Sequence, residues 1–151
     1  MNKSTTWQST DCFKEALKAK GLKATAQRTA VHRAMMQLGH ASADEVLEHL
    51  RENDPQSKVT VASVYNFLPQ MVDLGIYAIR LGPSSKMYYD VNPTPHAHLY
   101  DTKNGKYMDV MSEDILQSVR QALSHHRFKG YRVSDVDVTI KCIPTRKKIT
   151  Q

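Results

Sequence analysis

Apolar residues recur through the first half of the chain at three- and four-residue intervals, in runs bounded by residues that start and stop helices. Asp11 to Lys20 predicts a first helix, with Thr10 or Asp11 as cap and Gly21 as stop. Thr25 is placed to cap a second, from Ala26 to about Leu38, which Gly39 ends. Val31, Ala34, Met35 and Leu38 share one of its faces. A third helix opens at Ser42 or Ala43, with Asp44 and Glu45 in its first turn, where acidic groups suit the helix dipole. Val46, Leu47 and Leu50 form its apolar side, and the polar stretch Arg51 to Lys58, with Pro55, reads as a turn. Thr60 caps a fourth helix bearing Val61, Val64, Tyr65, Leu68 and Met71. Pro69 removes a donor and crowds the Tyr65 carbonyl, so it should shorten or kink that helix. His32 and His49 read as exposed helix residues.

The pattern then changes. Ile76 to Leu81, the turn Gly82 to Ser85 and the run Lys86 to Asp90 read as strand, turn and strand. Helices followed by a hairpin make a winged helix-turn-helix unit, whose last helix enters the major groove of DNA. Asn92-Pro93-Thr94-Pro95 is a stiff linker between a first unit, 1–91, and a second, 96–151. Beyond it His96 to Tyr100 and Lys106 to Val110 read as strands around Lys103-Asn104-Gly105. Glu113 to Arg127 reads as a helix with Ile115, Leu116, Val119 and Leu123 on one side, and His125 and His126 as capping groups at its end. Tyr131 to Ile140 alternates imperfectly in strand fashion, and Pro144 to Gln151 is a basic tail. The fold class expected is α+β, with an N-terminal winged helix and a C-terminal α/β unit. The second unit is short for a core of its own, so burial against a second copy, as a homodimer, is expected.

Composition narrows the partners. The 151 residues suit one compact domain or two small ones, and 40 % hydrophobic content excludes a disordered chain. No apolar run approaches the roughly 18 residues of a membrane helix. The polar start, Met1 to Thr10, does not read as a secretory signal, so a soluble cytoplasmic protein is expected. The net charge is +6, and residues 1–40 carry seven Lys and Arg against two acids. Such a balance favours a phosphate-bearing partner, although a solvated basic face has the same composition. Cys12 and Cys142 are far apart and in no paired motif, which excludes a disulfide scaffold and a thiolate zinc site.

Two segments carry candidate chemistry. Thr60-Val61-Ala62-Ser63-Val64-Tyr65-Asn66 begins with a cap and then offers small and polar side chains. Ala62 permits close approach to the groove, and Ser63, Tyr65 and Asn66 can hydrogen-bond bases or phosphates. Lys23 and Arg28 are placed for phosphate. An ordinary amphipathic helix would share these features. The second segment is His96-Ala97-His98, where residues two apart on a strand share a face, so both imidazoles can approach one ion. Asp90 precedes the linker, Asp109 lies on the next predicted strand, and His40 follows the second helix. Nitrogen and oxygen ligands without thiolate suit Fe(II), Mn(II) or Zn(II).

Taken in order, the motifs resemble the ferric uptake regulator (Fur) family, and most closely its PerR-type, peroxide-sensing branch. They are Leu22-Lys23-Ala24-Thr25-Ala26-Gln27-Arg28, His40-Ala41-Ser42-Ala43-Asp44-Glu45-Val46, Ala62-Ser63-Val64-Tyr65-Asn66, Tyr88-Tyr89-Asp90, His96-Ala97-His98 and Gly105-Lys106-Tyr107-Met108-Asp109. The resemblance, which runs from about Leu17 to Ile140, implies a homodimeric repressor on a palindromic operator in double-stranded DNA. It implies a regulatory Fe(II) or Mn(II), with Zn(II) an in vitro substitute, held by His40, Asp90, His96, His98 and Asp109. Asp109, where iron sensors of the family carry Glu, points to the peroxide branch, in which His40 or His96 would be oxidised. The chain departs from the pattern at Asp101 and Asn104, which stand where most members carry a Cys-x-x-Cys pair, so no structural zinc is expected. Three alternatives stay open: a metal-availability sensor on the same scaffold, a small non-haem iron oxygenase using two histidines and a carboxylate, and a metal-free winged-helix regulator.

Overall fold

The computed structural model describes residues 9–82, 85–110 and 112–145. Lys3, the start of the chain, Pro83 and Ser84 of the predicted turn and Arg146 to Gln151 of the basic tail lie outside them. The chain divides between Thr94 and Pro95 into two compact units. The fold class is the α+β arrangement read from the sequence.

In the first unit four helices precede a hairpin. Helix α1 spans Thr10–Ala19, and its cap is Ser9, whose hydroxyl accepts from Cys12 N at 3.1 Å; neither Thr10 nor Asp11 fills that role. Helix α2, Ala26–Leu38, starts where Thr25 Oγ1 accepts from Arg28 N. It ends at Gly39, whose φ of +73° a side chain rarely adopts. Strand β1, His40–Ala41, follows, and was not legible beforehand. Helix α3, Ala43–Asn53, opens with a capping box: Ser42 N donates to Glu45 at 2.8 Å and Glu45 N donates back to Ser42. It runs through Arg51 to Asn53, read above as turn, because Pro55 stops a helix only just ahead of itself. Pro55–Ser57 then forms one tight 3₁₀ turn.

Helix α4, Val61–Asp73, is capped by Thr60, which accepts from Ser63 N. Pro69 does not shorten it. This residue is exposed, so the Tyr65 carbonyl it displaces sits on the solvent side, where adjustment costs little packing. The helix buries Val64, Phe67, Leu68 and Met71, whereas Val61 and Tyr65 are 54 % and 49 % exposed. Those four side chains join Phe13 and Leu17 of α1, Val31 and Met35 of α2, and Val46 of α3 in one core. Strands β2, Ala78–Leu81, and β3, Met87–Asp90, form the wing, and β1 pairs antiparallel with β3 to give the order β1-β3-β2.

His32 corrects the sequence reading: it is 1 % exposed. Its ring stacks on Phe13 with centroids 3.8 Å apart, and Nδ1 meets the Tyr77 hydroxyl at 2.6 Å. His49 is half-buried, 2.6 Å from Gln37 Oε1.

In the second unit β4, Ala97–Asp101, pairs antiparallel with β5, Lys106–Val110, and parallel with β6, Thr139–Cys142. Helix α5, Asp114–Ser124, lies between β5 and β6 in the chain and is shorter than predicted. Only Leu116 of its four apolar positions is buried. The Tyr131 to Ile140 run is not one strand: β6 starts at its end, and Tyr131 makes an isolated bridge to Phe128. Asp101 and Asn104 build a hydrogen-bonded turn. Asp101 Oδ1 accepts from Lys103 N and Asn104 N, and Oδ2 accepts from Asn104 Nδ2 at 2.7 Å. Both cysteines are free thiols, and no helix among the described residues is long and apolar enough to cross a membrane.

Candidate metal centre and nucleic-acid interface

Within the first unit, pairing of β1 with β3 sets His40 opposite Asp90. His40 Nε2 lies 3.2 Å from Asp90 Oδ2, and both side chains are buried. The other carboxylate oxygen accepts from Asn92 N at 2.8 Å, which fixes the orientation of the group as the chain leaves the wing.

Within the second unit, β4–β5 register makes His98 and Asp109 direct partners. Asp109 Oδ1 is 2.8 Å from His96 Nε2 and 3.5 Å from His98 Nε2. The two imidazoles lie 4.2 Å apart between centroids. His98 is fully buried, its ring edge-on to Tyr107. His96 sits one residue before β4 and not on it, yet reaches the same carboxylate. One ligand atom from each of the three side chains falls within 4.8 Å of the others. Two imidazoles and one carboxylate at that spacing fit a first-row divalent ion that prefers nitrogen and oxygen. Among the described residues no thiolate belongs to this group.

The exposed face of α4 carries Ala62, Tyr65 and Asn66. A groove between α2 and α4 is lined by Lys23, Thr25, Gln27, Arg28, Ser63 and Asn66. Arg28 Nη1 donates to Lys23 O at 2.8 Å, which braces the guanidinium beside the helix. Thr60 is bound up in the cap, and its hydroxyl is 2.7 Å from Ser63 Oγ.

Two positioning residues were missed. Gln27 accepts from Ser63 Oγ at 2.6 Å and donates to Lys58 O at 3.4 Å, tying α2 to the start of α4. Asp44, read only as a dipole partner, accepts from the Tyr65 hydroxyl at 2.7 Å. All three bonds join residues more than twenty positions apart, for which the sequence carries no local signal.

The profile of the ferric uptake regulator family matches residues 19–140. The chain is 31 % identical over 125 residues to the peroxide-responsive repressor PerR of Staphylococcus epidermidis, covering 82 % of this chain and 77 % of that one. Among solved structures it is similar to the Vibrio cholerae ferric uptake regulator, with a TM-score of 0.70 at 21 % identity, covering 87 % of this chain and 99 % of that one. It is also similar to a Campylobacter jejuni peroxide stress regulator, with a TM-score of 0.61 at 23 % identity, covering 88 % and 96 %. These matches overturn the oxygenase alternative, since the whole matched length is that of a regulator. The chain belongs to the ferric uptake regulator family.

Proposed function

We propose that this protein is a cytoplasmic, homodimeric, metal-dependent repressor that binds a palindromic operator in double-stranded DNA and is inactivated by peroxide. The observation that carries the reading is the Asp109 carboxylate shared by His96 and His98. In the proposal His40 and Asp90 complete the set around one Fe(II) or Mn(II). One ion held by both units would join the winged helix to the C-terminal unit in a DNA-competent pose. A ligand bound only to that pose at 100 times its dissociation constant favours it by about 2.7 kcal/mol. Zn(II) would substitute in vitro.

The protein's own groups supply the rest. The Asp109 carboxylate fixes the His96 imidazole by a short contact, and burial keeps His98 from bulk water. On the DNA side, Lys23 and Arg28 would meet phosphates, while Ala62, Ser63, Tyr65 and Asn66 face base edges from a helix capped by Thr60. Bound Fe(II) would supply the reducing equivalent for peroxide, which Mn(II) does poorly. His40 and His96 are the side chains expected to gain oxygen, with release of DNA as the outcome. The PerR name of the Staphylococcus relative supports the peroxide response, as does Asp at position 109. Asp101 and Asn104, hydrogen-bonded to each other, support a second unit that folds without structural zinc.

Anaerobic reconstitution with Fe(II), followed by binding to a duplex selected from a random library, tests this reading. Peroxide should release the duplex and add oxygen to the peptide carrying His40 or His96. An unmodified protein that stays bound after peroxide but lets go on chelation would be a metal-availability sensor instead.

A further inference from the structure

The hydroxyl groups on the reading face of α4 have already given their protons away. Tyr65 is 49 % exposed, yet its hydroxyl donates to Asp44 Oδ1 at 2.7 Å. A carboxylate oxygen accepts, so the phenol oxygen keeps only lone pairs for a ligand. Ser63 Oγ likewise donates to Gln27 Oε1 at 2.6 Å. The Gln27 amide can be assigned this way round because its nitrogen donates to Lys58 O. The bond to Asp44 also raises the pKa of Tyr65, so the proton stays in place.

Major-groove edges differ in what they offer such a face. Guanine N7 and O6, adenine N7 and thymine O4 accept, as do all phosphate oxygens. Cytosine N4 and adenine N6 donate. A phenol with a free proton would serve an acceptor as readily as a donor. Here the proton is committed, and the Asp44 carboxylate beside it repels phosphate. We propose that the Asp44–Tyr65 pair is an acceptor-only reading element, which selects an exocyclic amino group of cytosine or adenine in each half-site. Asp44 acts as the positioning residue. This rests on the DNA-binding reading above and adds the chemistry of one base position to it.

The test uses the full chain loaded with Mn(II) and a randomised duplex library. Wild-type protein should enrich cytosine or adenine at one position per half-site. Replacing that base by 2-pyrimidinone or purine, which lack the amino group, should weaken binding about fivefold, the scale of one hydrogen bond, and tells the two bases apart. In Tyr65→Phe the analogue should have no effect, and in both Tyr65→Phe and Asp44→Ala, where the freed phenol serves donor and acceptor alike, the preference at that position should vanish, with other positions kept. Asp44→Asn, which retains an accepting oxygen, should keep it. The inference is overturned if every selected position survives both substitutions, or if the position lost in Tyr65→Phe is guanine or thymine. A wild-type protein that selects no sequence overturns the DNA-binding reading along with it. Both residues are surface groups, so each variant should keep the wild-type circular-dichroism spectrum at the temperature of the binding assay.

Discussion

His40 and Asp90 are register partners across the β1–β3 ladder, with Nε2 and Oδ2 3.2 Å apart. A two-residue strand thereby brings the residue just past the Gly39 stop of α2 to the residue that ends the wing. Asp90→Asn keeps the shape and the acceptor for Asn92 N while removing the charge. Loss of outer-shell partners alone lowers metal affinity by about 10–100-fold, and a direct ligand should cost no less. Calorimetric titration with Mn(II) is expected to show at least a tenfold loss by that measure. An unchanged affinity would remove Asp90 from the ligand set.

The His32–Tyr77 contact locks α1, α2 and the entry to the wing around one aromatic stack. Tyr77→Phe deletes one partner of a buried hydrogen bond, which costs about 1–3 kcal/mol. Urea denaturation at neutral pH measures it. Burial raises the Tyr77 pKa above its ordinary value. Its contribution is therefore complete below about pH 10, the unfolded value, and is lost as pH rises beyond it. The alkaline loss of stability should be smaller in Tyr77→Phe than in wild type.

Asp101 makes an acid-side prediction. The Asn104 side-chain amide, aided by the backbone N–H groups of Asn104 and Lys103, lowers its pKa against an opposing effect of burial. A carboxylate with a depressed folded pKa stabilises above its unfolded value, about 4, and loses that contribution as pH falls through the folded one. Asn104→Ala should thus lower the midpoint of unfolding at pH 7 and converge with wild type in strong acid. Parallel curves across the whole range would contradict the role of this turn.

Chelation should leave the second unit folded. Its turn at Asp101 to Asn104 is closed by hydrogen bonds, and both cysteines are free. Far-ultraviolet circular dichroism after exhaustive treatment with EDTA is expected to retain its strand and helix signal. Co(II)-loaded protein should lack a thiolate charge-transfer band. Such a band would reveal a thiolate site, and collapse on chelation would show that the unit needs a metal to fold.

Elements whose ends are written locally were legible. Helix α2 runs between a Thr25 cap and a Gly39 stop, both visible as residue types. Strand β5 was read with its own ends because Lys103-Asn104-Gly105 marks the turn before it. What failed depended on partners distant in the chain. Strand β1 exists only through β3, and β6 is placed by parallel pairing with β4, whereas the valines before it only imitate a strand pattern. His32 lies beside the apolar stripe of α2 and is drawn inward by Tyr77, 45 positions away. The His-x-His pair and its acidic partners were readable as donor chemistry. The hydrogen bonds from Tyr65 and Ser63 to Asp44 and Gln27, which set which atoms of α4 face outward, were not.

In the proposed function one ion couples the two units to DNA. Its most direct measurement is Mn(II) titration read by fluorescence anisotropy of a selected duplex, in wild type, His40→Ala and His98→Ala. Wild type should bind one Mn(II) per chain and tighten on DNA about a hundredfold, and each substitution, one in either unit, should abolish the gain. Equal duplex affinity with and without Mn(II), or a full gain in His40→Ala, would contradict it.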